Sequence, residues 1–239
     1  PVGYSEFLTA KTLPAPKDGI EITDWKYGFK AKDEVSKIDF DDTEWPQRKT
    51  GNEWDEEYAH AWYRTEITLP DTIDDFQVAG KPLRLLVNAN DKGEIWLDGI
   101  LRQRFRGGEG DLILSNSGTA GTTLKIAIKV INEWGSGDLR KVRLITDEAY
   151  QLKKMLDEVN IALDRLDRYC ERHPSPDMSI INEVSQNILG TKNLDMATRL
   201  ARIGSSLEMA EIALQEQPAF LIPPYLQNLR EDAITVMWE

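Results

Sequence analysis

Apolar and polar residues alternate with a period of two through residue 146 and then switch to a period near three and a half. Leu83, Leu85 and Val87 share one strand face. Ile95 and Leu97 share another with Trp96 opposite, and Leu124, Ile126, Ile128 and Val130 interleave with Lys125, Ala127 and Lys129. Such regular alternation predicts antiparallel sheet with one buried face, the half of a β-sandwich. Asp98-Gly99 tolerates positive φ, so a hairpin turn is expected between strands at 94–97 and 101–106. Upstream, Ile20, Ile22, Trp25, Tyr27 and Phe29 predict a first strand over 20–30. Residues 39–46 read as an acidic loop with Trp45 as a core plug. In the next loop, 47–59, Trp54 and Tyr58 sit among charges, and both buried packing and an exposed aromatic platform stay open. His60 is expected at the surface of the following strand.

Beyond Leu144, Leu152, Leu156, Val159, Leu163, Leu166 and Cys170 recur in steps of four and three, which predicts a long amphipathic helix with a narrow seam. His173-Pro174-Ser175-Pro176 ends it, because proline cannot continue a helix. A short helix with Ile181, Val184 and Ile188 on its stripe stops at Gly190. Met196, Leu200, Ile203, Leu207, Ala210 and Leu214 mark a second long helix, and the two long helices should close as an antiparallel hairpin. The expected organisation is therefore a lead-in segment (1–19), a β-sandwich (20–146), a helical hairpin (147–217) and a further β segment (218–239). The fold class is mainly β with an α-helical appendage.

Charge and composition narrow the partners. A net charge of −12 over 239 residues argues against nucleic acid or an anionic membrane. No apolar run is long enough to span a bilayer. Cys170 is alone and reads as a buried, inert thiol. A chain that begins at Pro1 and ends at Glu239 inside a strand pattern reads as cut at both ends, and its start fits a secretion signal left out, a tag scar or processing alike.

The order of motifs carries a resemblance. Asp39-Phe40-Asp41-Asp42-Thr43-Glu44-Trp45, Ala61-Trp62-Tyr63-Arg64 leading to Leu69-Pro70, Ile95-Trp96-Leu97-Asp98-Gly99, Gly107-Gly108, and Gly137-Asp138-Leu139-Arg140-Lys141-Val142 follow one another. This series resembles the N-terminal sugar-binding-like domain of β-galactosidase and β-glucuronidase type glycosidases over 20–146. The resemblance implies a galactose-binding-like jelly roll that serves a separate catalytic barrel. At the other end, Pro223-Pro224-Tyr225-Leu226-Gln227-Asn228-Leu229 leading to Trp238 is similar to the start of the fibronectin type III-like domain of purple acid phosphatases. That likeness implies downstream fibronectin-like and metallophosphoesterase domains as partners, and a secreted, periplasmic or cell-surface location. It also implies two metal ions in the catalytic domain, with no cofactor in 1–239.

Catalytic constellations are not found in the residues themselves. His60 and His173 are the two histidines, too few for a dinuclear centre, and no nucleophile elbow is present. Gly107-Gly108-Glu109-Gly110 is too short for a phosphate loop. Glu56-Glu57 and Asp74-Asp75 read as solvated faces rather than a glycosidase pair. Arg102, Arg104 and Arg106 alternate on a strand, so one face would carry three guanidinium groups. They suit either an acidic sugar or phosphate, or cross-strand pairing with carboxylates. Phe105 and Glu109 depart from the glycosidase pattern, which often has a histidine and an aromatic there. The expected ligand site is a loop edge combining Trp54 and Trp134 with Arg102, Arg104 and Arg106, with no catalytic and no metal-ligating residues. The expected function is a non-catalytic accessory module with carbohydrate as ligand. A purely structural module and an accessory domain of a glycoside hydrolase are the other readings.

Overall fold

The computed structural model describes residues 16–172 and 178–214. Its strands are β1 (Ile20–Glu21), β2 (Asp24–Phe29), β3 (Gln47–Lys49), β4 (His60–Thr68), β5 (Thr72–Ile73), β6 (Phe76–Gln77), β7 (Leu83–Ala89), β8 (Lys92–Leu97), β9 (Ile100–Arg106), β10 (Glu109–Ser115), β11 (Thr123–Ile131) and β12 (Leu139–Thr146). Three helices follow, α1 (Asp147–Arg172), α2 (Met178–Gly190) and α3 (Met196–Leu214). Two compact units result: Lys17–Tyr150, and a second to which the described residues 151–214 belong. Residues 1–15 of the lead-in, the His173 to Pro176 terminator and the 218–239 motif lie outside the described residues.

The first unit is an antiparallel β-sandwich. One sheet runs β1-β12-β7-β10 and the other β3-β2-β4-β11-β8-β9. Leu83, Leu85 and Val87 of β7, Ile95 and Leu97 of β8, and Ile126, Ile128 and Val130 of β11 all point into the space between them, none more than 6% exposed. Each such side chain contributes about 1.5–3 kcal/mol by leaving water. Asp98 (φ 48) and Gly99 (φ 79) make the β8–β9 hairpin turn expected of that pair.

Two features depart from simple alternation. The expected strand over 20–30 is two strands in different sheets, because Ile22 and Trp25 are both buried yet lie an odd number of residues apart. One continuous strand would point them to opposite faces, so the chain crosses between sheets after Ile22, whose N–H still donates to Val142 O at 2.9 Å while Thr23 O accepts from Thr50 N at 3.0 Å. Nor is the outer face of the six-stranded sheet wholly solvated. Trp62, Ala127 and Val35 are buried there, with Phe40, Trp45 and Trp96 packed on them. Trp45 thus plugs this second cluster rather than the main core. Arg64, 7% exposed, anchors the cover: its Nε donates to Asp42 at 2.7 Å and its Nη1 to the Val35 and Lys37 carbonyls.

Thr146 caps α1, its Oγ1 accepting from Ala149 N at 3.2 Å. The first turn belongs to the sandwich unit: Arg84 pairs with both Asp111 and Asp147, and Tyr150 donates to Asp111 at 2.6 Å. In the second unit the apolar stripes meet in one core of Leu156, Val159, Leu163 and Leu166 from α1, Ile181, Val184 and Ile188 from α2, and Leu200, Ile203 and Leu207 from α3. The short helix is therefore a full partner rather than a connector, and α2 and α3 make the close helix–helix approach. Asp195 caps α3 by accepting from Thr198 N at 3.0 Å, and the backbone and hydroxyl of Thr198 hold its carboxyl below the usual range. Cys170 is partly buried, and desolvation pushes its thiol up to about 11, which suits an unreactive side chain.

Two substitutions test this packing. A Cβ at Gly28 would stand 2.1 Å from Trp45 Cη2, so Gly28→Ala should cost about 1–3 kcal/mol in urea unfolding. An unchanged midpoint would show that Trp45 does not close over β2. Leu163 is fully buried in the helical core, and Leu163→Asp should lower stability by about 3 kcal/mol. A retained melting temperature would contradict a seam built from that stripe.

Candidate functional site

The loop from β11 to β12, residues 132–138, is fastened by side chains and, at Gly137, by a backbone bridge to Trp54. Asn132 is fully buried: its Nδ2 donates to Glu56 O at 2.8 Å and Gly135 O at 2.7 Å, and its Oδ1 accepts from Asn90 Nδ2 at 3.1 Å. Asn90 Nδ2 also donates to the Ser136 carbonyl. Asp91 (φ 51) accepts the backbone N–H of Glu133 at 2.5 Å and of Trp134 at 3.1 Å. From the neighbouring 53–58 segment, Glu57 accepts Gly135 N at 3.1 Å and Glu53 accepts Ser136 Oγ at 2.9 Å. Together with the backbone bonds from Asn132 to Ala59, between Gly137 and Trp54 and from Asn90 to Asp138, these satisfy most of the loop's polar backbone, which leaves its shape little freedom.

This frame presents Trp134. The residue is 68% exposed, and its indole meets the ring of Tyr58, a residue 70% exposed, with centroids 5.5 Å apart and planes inclined by 66°. Tyr58 takes φ 53, a left-handed conformation that costs a residue with a Cβ about 1–2 kcal/mol. Two large aromatic faces meet here as an open corner. Trp134 was an expected site residue; Tyr58, noted only as a loop aromatic, was not placed in that site. Its position depends on its φ and on the buried Asn132 amide, neither of which a local motif announces.

Trp54 does not join them. Only 7% exposed, it packs on Tyr27, Phe29 and Tyr63 at 6.2–6.4 Å, and its backbone bridges to Gly137. Gly137 leaves it room: a Cβ there would lie 2.2 Å from the indole. The expectation of Trp54 as a ligand-facing surface is corrected by this packing. Among the described residues neither its Nε1 nor the Tyr63 hydroxyl, both buried, has a hydrogen-bond partner, and burial raises Tyr63 above the ordinary tyrosine range. Asp138, 6% exposed, is raised by burial first, against the nearby Arg140, and further by Glu53. Arg140 Nε stands 3.1 Å from its Oδ1, outside hydrogen-bonding geometry.

The arginine row is not one platform. Arg104 and Arg106 lie opposite Glu94 and Lys92, but a β-bulge between Ile95 and Trp96 leaves Arg102 without a cross-strand partner. Arg104 Nε pairs with Glu94 at 3.0 Å, the cross-strand reading. Arg102 and Arg106 are about 13 Å apart along the strand, so only Arg106 adjoins the loop end where Asp91 and Lys92 support Trp134. The three are exposed, but they are not gathered around Trp134.

Elsewhere, a cleft of about 320 Å³ lies on the outer face of the six-stranded sheet. Two pairs of its charges answer one another, Arg64 with Asp42 at 2.7 Å and Lys125 with Glu66 at 3.0 Å, while Lys26 donates to the Thr43 and Trp45 carbonyls. His60 is half-buried rather than free at the surface, its Nε2 bonded to Ala31 O at 2.9 Å. Among the described residues no three His, Cys, Asp or Glu side chains gather as metal ligands, and no helix is long and apolar enough to cross a membrane.

No family model matches the chain, and no curated protein does. Among solved structures it is similar to a β-glucuronidase of Bacteroides uniformis, at 20% identity and TM-score 0.45 over 53% of this chain and 18% of that one. It is also similar to a β-glycosidase from Bacteroides vulgatus, at 19% and 0.45 over 54% and 20%. A third is a Ruminococcus gnavus β-glucuronidase, at 14% and 0.45 over 57% and 30%. The chain spans less than a third of the length of each of these structures.

Proposed function

We propose that the sandwich is a non-catalytic carbohydrate-binding module of a larger hydrolase, with the Tyr58–Trp134 corner as its binding surface. The observation that carries this is the corner itself: two aromatic residues more than two-thirds exposed, their rings 5.5 Å apart, on loops already held by the buried Asn132 amide and the hydrogen bonds around it. A flat aromatic face covers the apolar face of a sugar ring, while nearby carboxylates and amides meet its hydroxyl groups. A loop held before binding loses little further entropy when the ligand arrives.

The parent enzyme in this proposal is a secreted metallophosphoesterase of the purple acid phosphatase kind, with its two metal ions in its own catalytic domain. What supports it is the proline-tyrosine-leucine-glutamine motif at Pro224 to Gln227. A glycoside hydrolase parent is the alternative, supported by the motif order over 20–146. A purely structural sandwich is favoured by a different feature, the exposed Ile38 (48%) and Ile100 (63%) beside the Gly99 turn, which would suit packing on another domain.

Calorimetric titration against a panel of oligosaccharides separates these readings. Binding is expected with a Kd of about 1 mM or tighter, weakened at least about tenfold by Trp134→Ala, a loss of about 1.4 kcal/mol. Arg102→Ala, far from the corner, should leave affinity unchanged. No binding at millimolar sugar, or affinity that survives Trp134→Ala, would favour the structural role. The chain 1–239 is also expected to hydrolyse neither aryl phosphates nor aryl glycosides, with or without added divalent metal. Turnover abolished by a substitution within it would contradict the accessory reading.

A further inference from the structure

The charge around the aromatic corner points to a narrower ligand class, and this inference rests on the carbohydrate reading. Glu53, Asp55 and Glu57 are exposed on the segment that carries Tyr58. Among the described residues, none of the three has a cation within ion-pairing distance, whereas Glu56 is answered by Lys30 and Glu133 by Lys92. The hydrogen bonds that Glu53 and Glu57 accept come from neutral donors, the Ser136 hydroxyl and the Gly135 N–H, and the Arg48 guanidinium beside them bonds the Asn52 and Glu53 carbonyls, so no ion pair among the described residues offsets their charge. Glu53 also adds to burial in raising Asp138, which places its field at this end of the sandwich.

We infer that the corner selects sugars bearing a protonated amine, hexosamine units with a free 2-ammonium group, over neutral and acidic sugars. The apolar face of the pyranose stacks on Trp134. Its ammonium is drawn both to the carboxylates of Glu53 and Glu57 and to the electron-rich faces of Tyr58 and Trp134. A uronate would instead bring a like charge to three unpaired carboxylates. Of the guanidinium groups that could offset this, Arg48 is turned to the Asn52 and Glu53 carbonyls, Arg140 stands beside Asp138, Arg104 is engaged by Glu94 at 3.0 Å, Arg106 lies opposite Lys92 and Arg102 is at the far end of β9.

The test is titration of the chain 1–239, at mildly acidic pH and low salt, with four probes: a glucosamine hexasaccharide, its fully N-acetylated form, an oligogalacturonate and an oligolysine peptide. The glucosamine oligomer should bind about tenfold tighter than the N-acetylated one, and the uronate weakest. High salt should shrink that preference, since the carboxylates are exposed. Joint replacement Glu53→Gln and Glu57→Gln, which keeps both acceptor oxygens, should reduce it to about twofold. Equal affinity for the acetylated and free-amine oligomers would overturn the ammonium inference while leaving the carbohydrate reading in place. Binding of no sugar would overturn both. Tight binding of oligolysine without binding of the glucosamine oligomer would overturn the inference in favour of a basic peptide. The salt series on the unsubstituted chain decides the matter even if the double variant fails to fold.

Discussion

With no surface exposed, the Asn132 carboxamide must find its hydrogen bonds inside the protein, and it finds them on separate segments. It reaches Glu56 on one side, Gly135 on its own loop, and Asn90 at the end of β7. Each bond contributes about 1 kcal/mol net, but leaving a partner buried and unpaired costs about 1–3 kcal/mol. The loops therefore hold to the amide. Tyr58 and Trp134 inherit their positions from this clamp, since one lies two residues after Glu56 and the other one residue before Gly135. Trp54 reinforces it from below, filling the space that Gly137 leaves open.

Legibility in the sequence followed the degree to which structure is a matter of period. The alternation of Ile95, Trp96 and Leu97, and of Ile126, Ala127 and Ile128, describes which side of β8 and β11 faces the core. The three-four stripe of Leu156, Val159 and Leu163 likewise describes a buried helical face. Period fails where it is interrupted. The odd spacing of Ile22 and Trp25 hides a crossing between sheets, and the bulge on β9 breaks the row of arginines that strict alternation would have aligned. Burial of a loop aromatic is less legible still. Trp54 and Trp134 stand in similarly acidic, glycine-flanked surroundings, yet one is 7% exposed and the other 68%. What separates them is the backbone bridge between Trp54 and Gly137, a pairing of residues far apart in sequence.

The charge of the chain takes on meaning only at this local scale. A net −12 excludes little beyond polyanions, and most ionic pairs on the sandwich are exposed ones of small energetic consequence. At the corner, however, Glu53, Asp55 and Glu57 have no ion-pair partner among the described residues, on the segment that carries one of two exposed rings. Arg64 and Lys125, by contrast, are spent on closing the outer face of the sheet. The same acidic composition thus yields a face whose carboxylates are largely paired and one where three stand outside any ion pair, and the second coincides with the exposed aromatics.

The most direct test of the account is to observe the indole N–H signals of the protein by two-dimensional NMR while a glucosamine oligosaccharide is added. The account predicts a progressive shift of the Trp134 resonance, identified by its absence in Trp134→Phe, with the buried Trp25 and Trp62 signals unmoved. Shifts confined to the tryptophans of the outer sheet face, or no shift of Trp134 at saturating sugar, would contradict the assignment of the Tyr58–Trp134 corner as the binding surface.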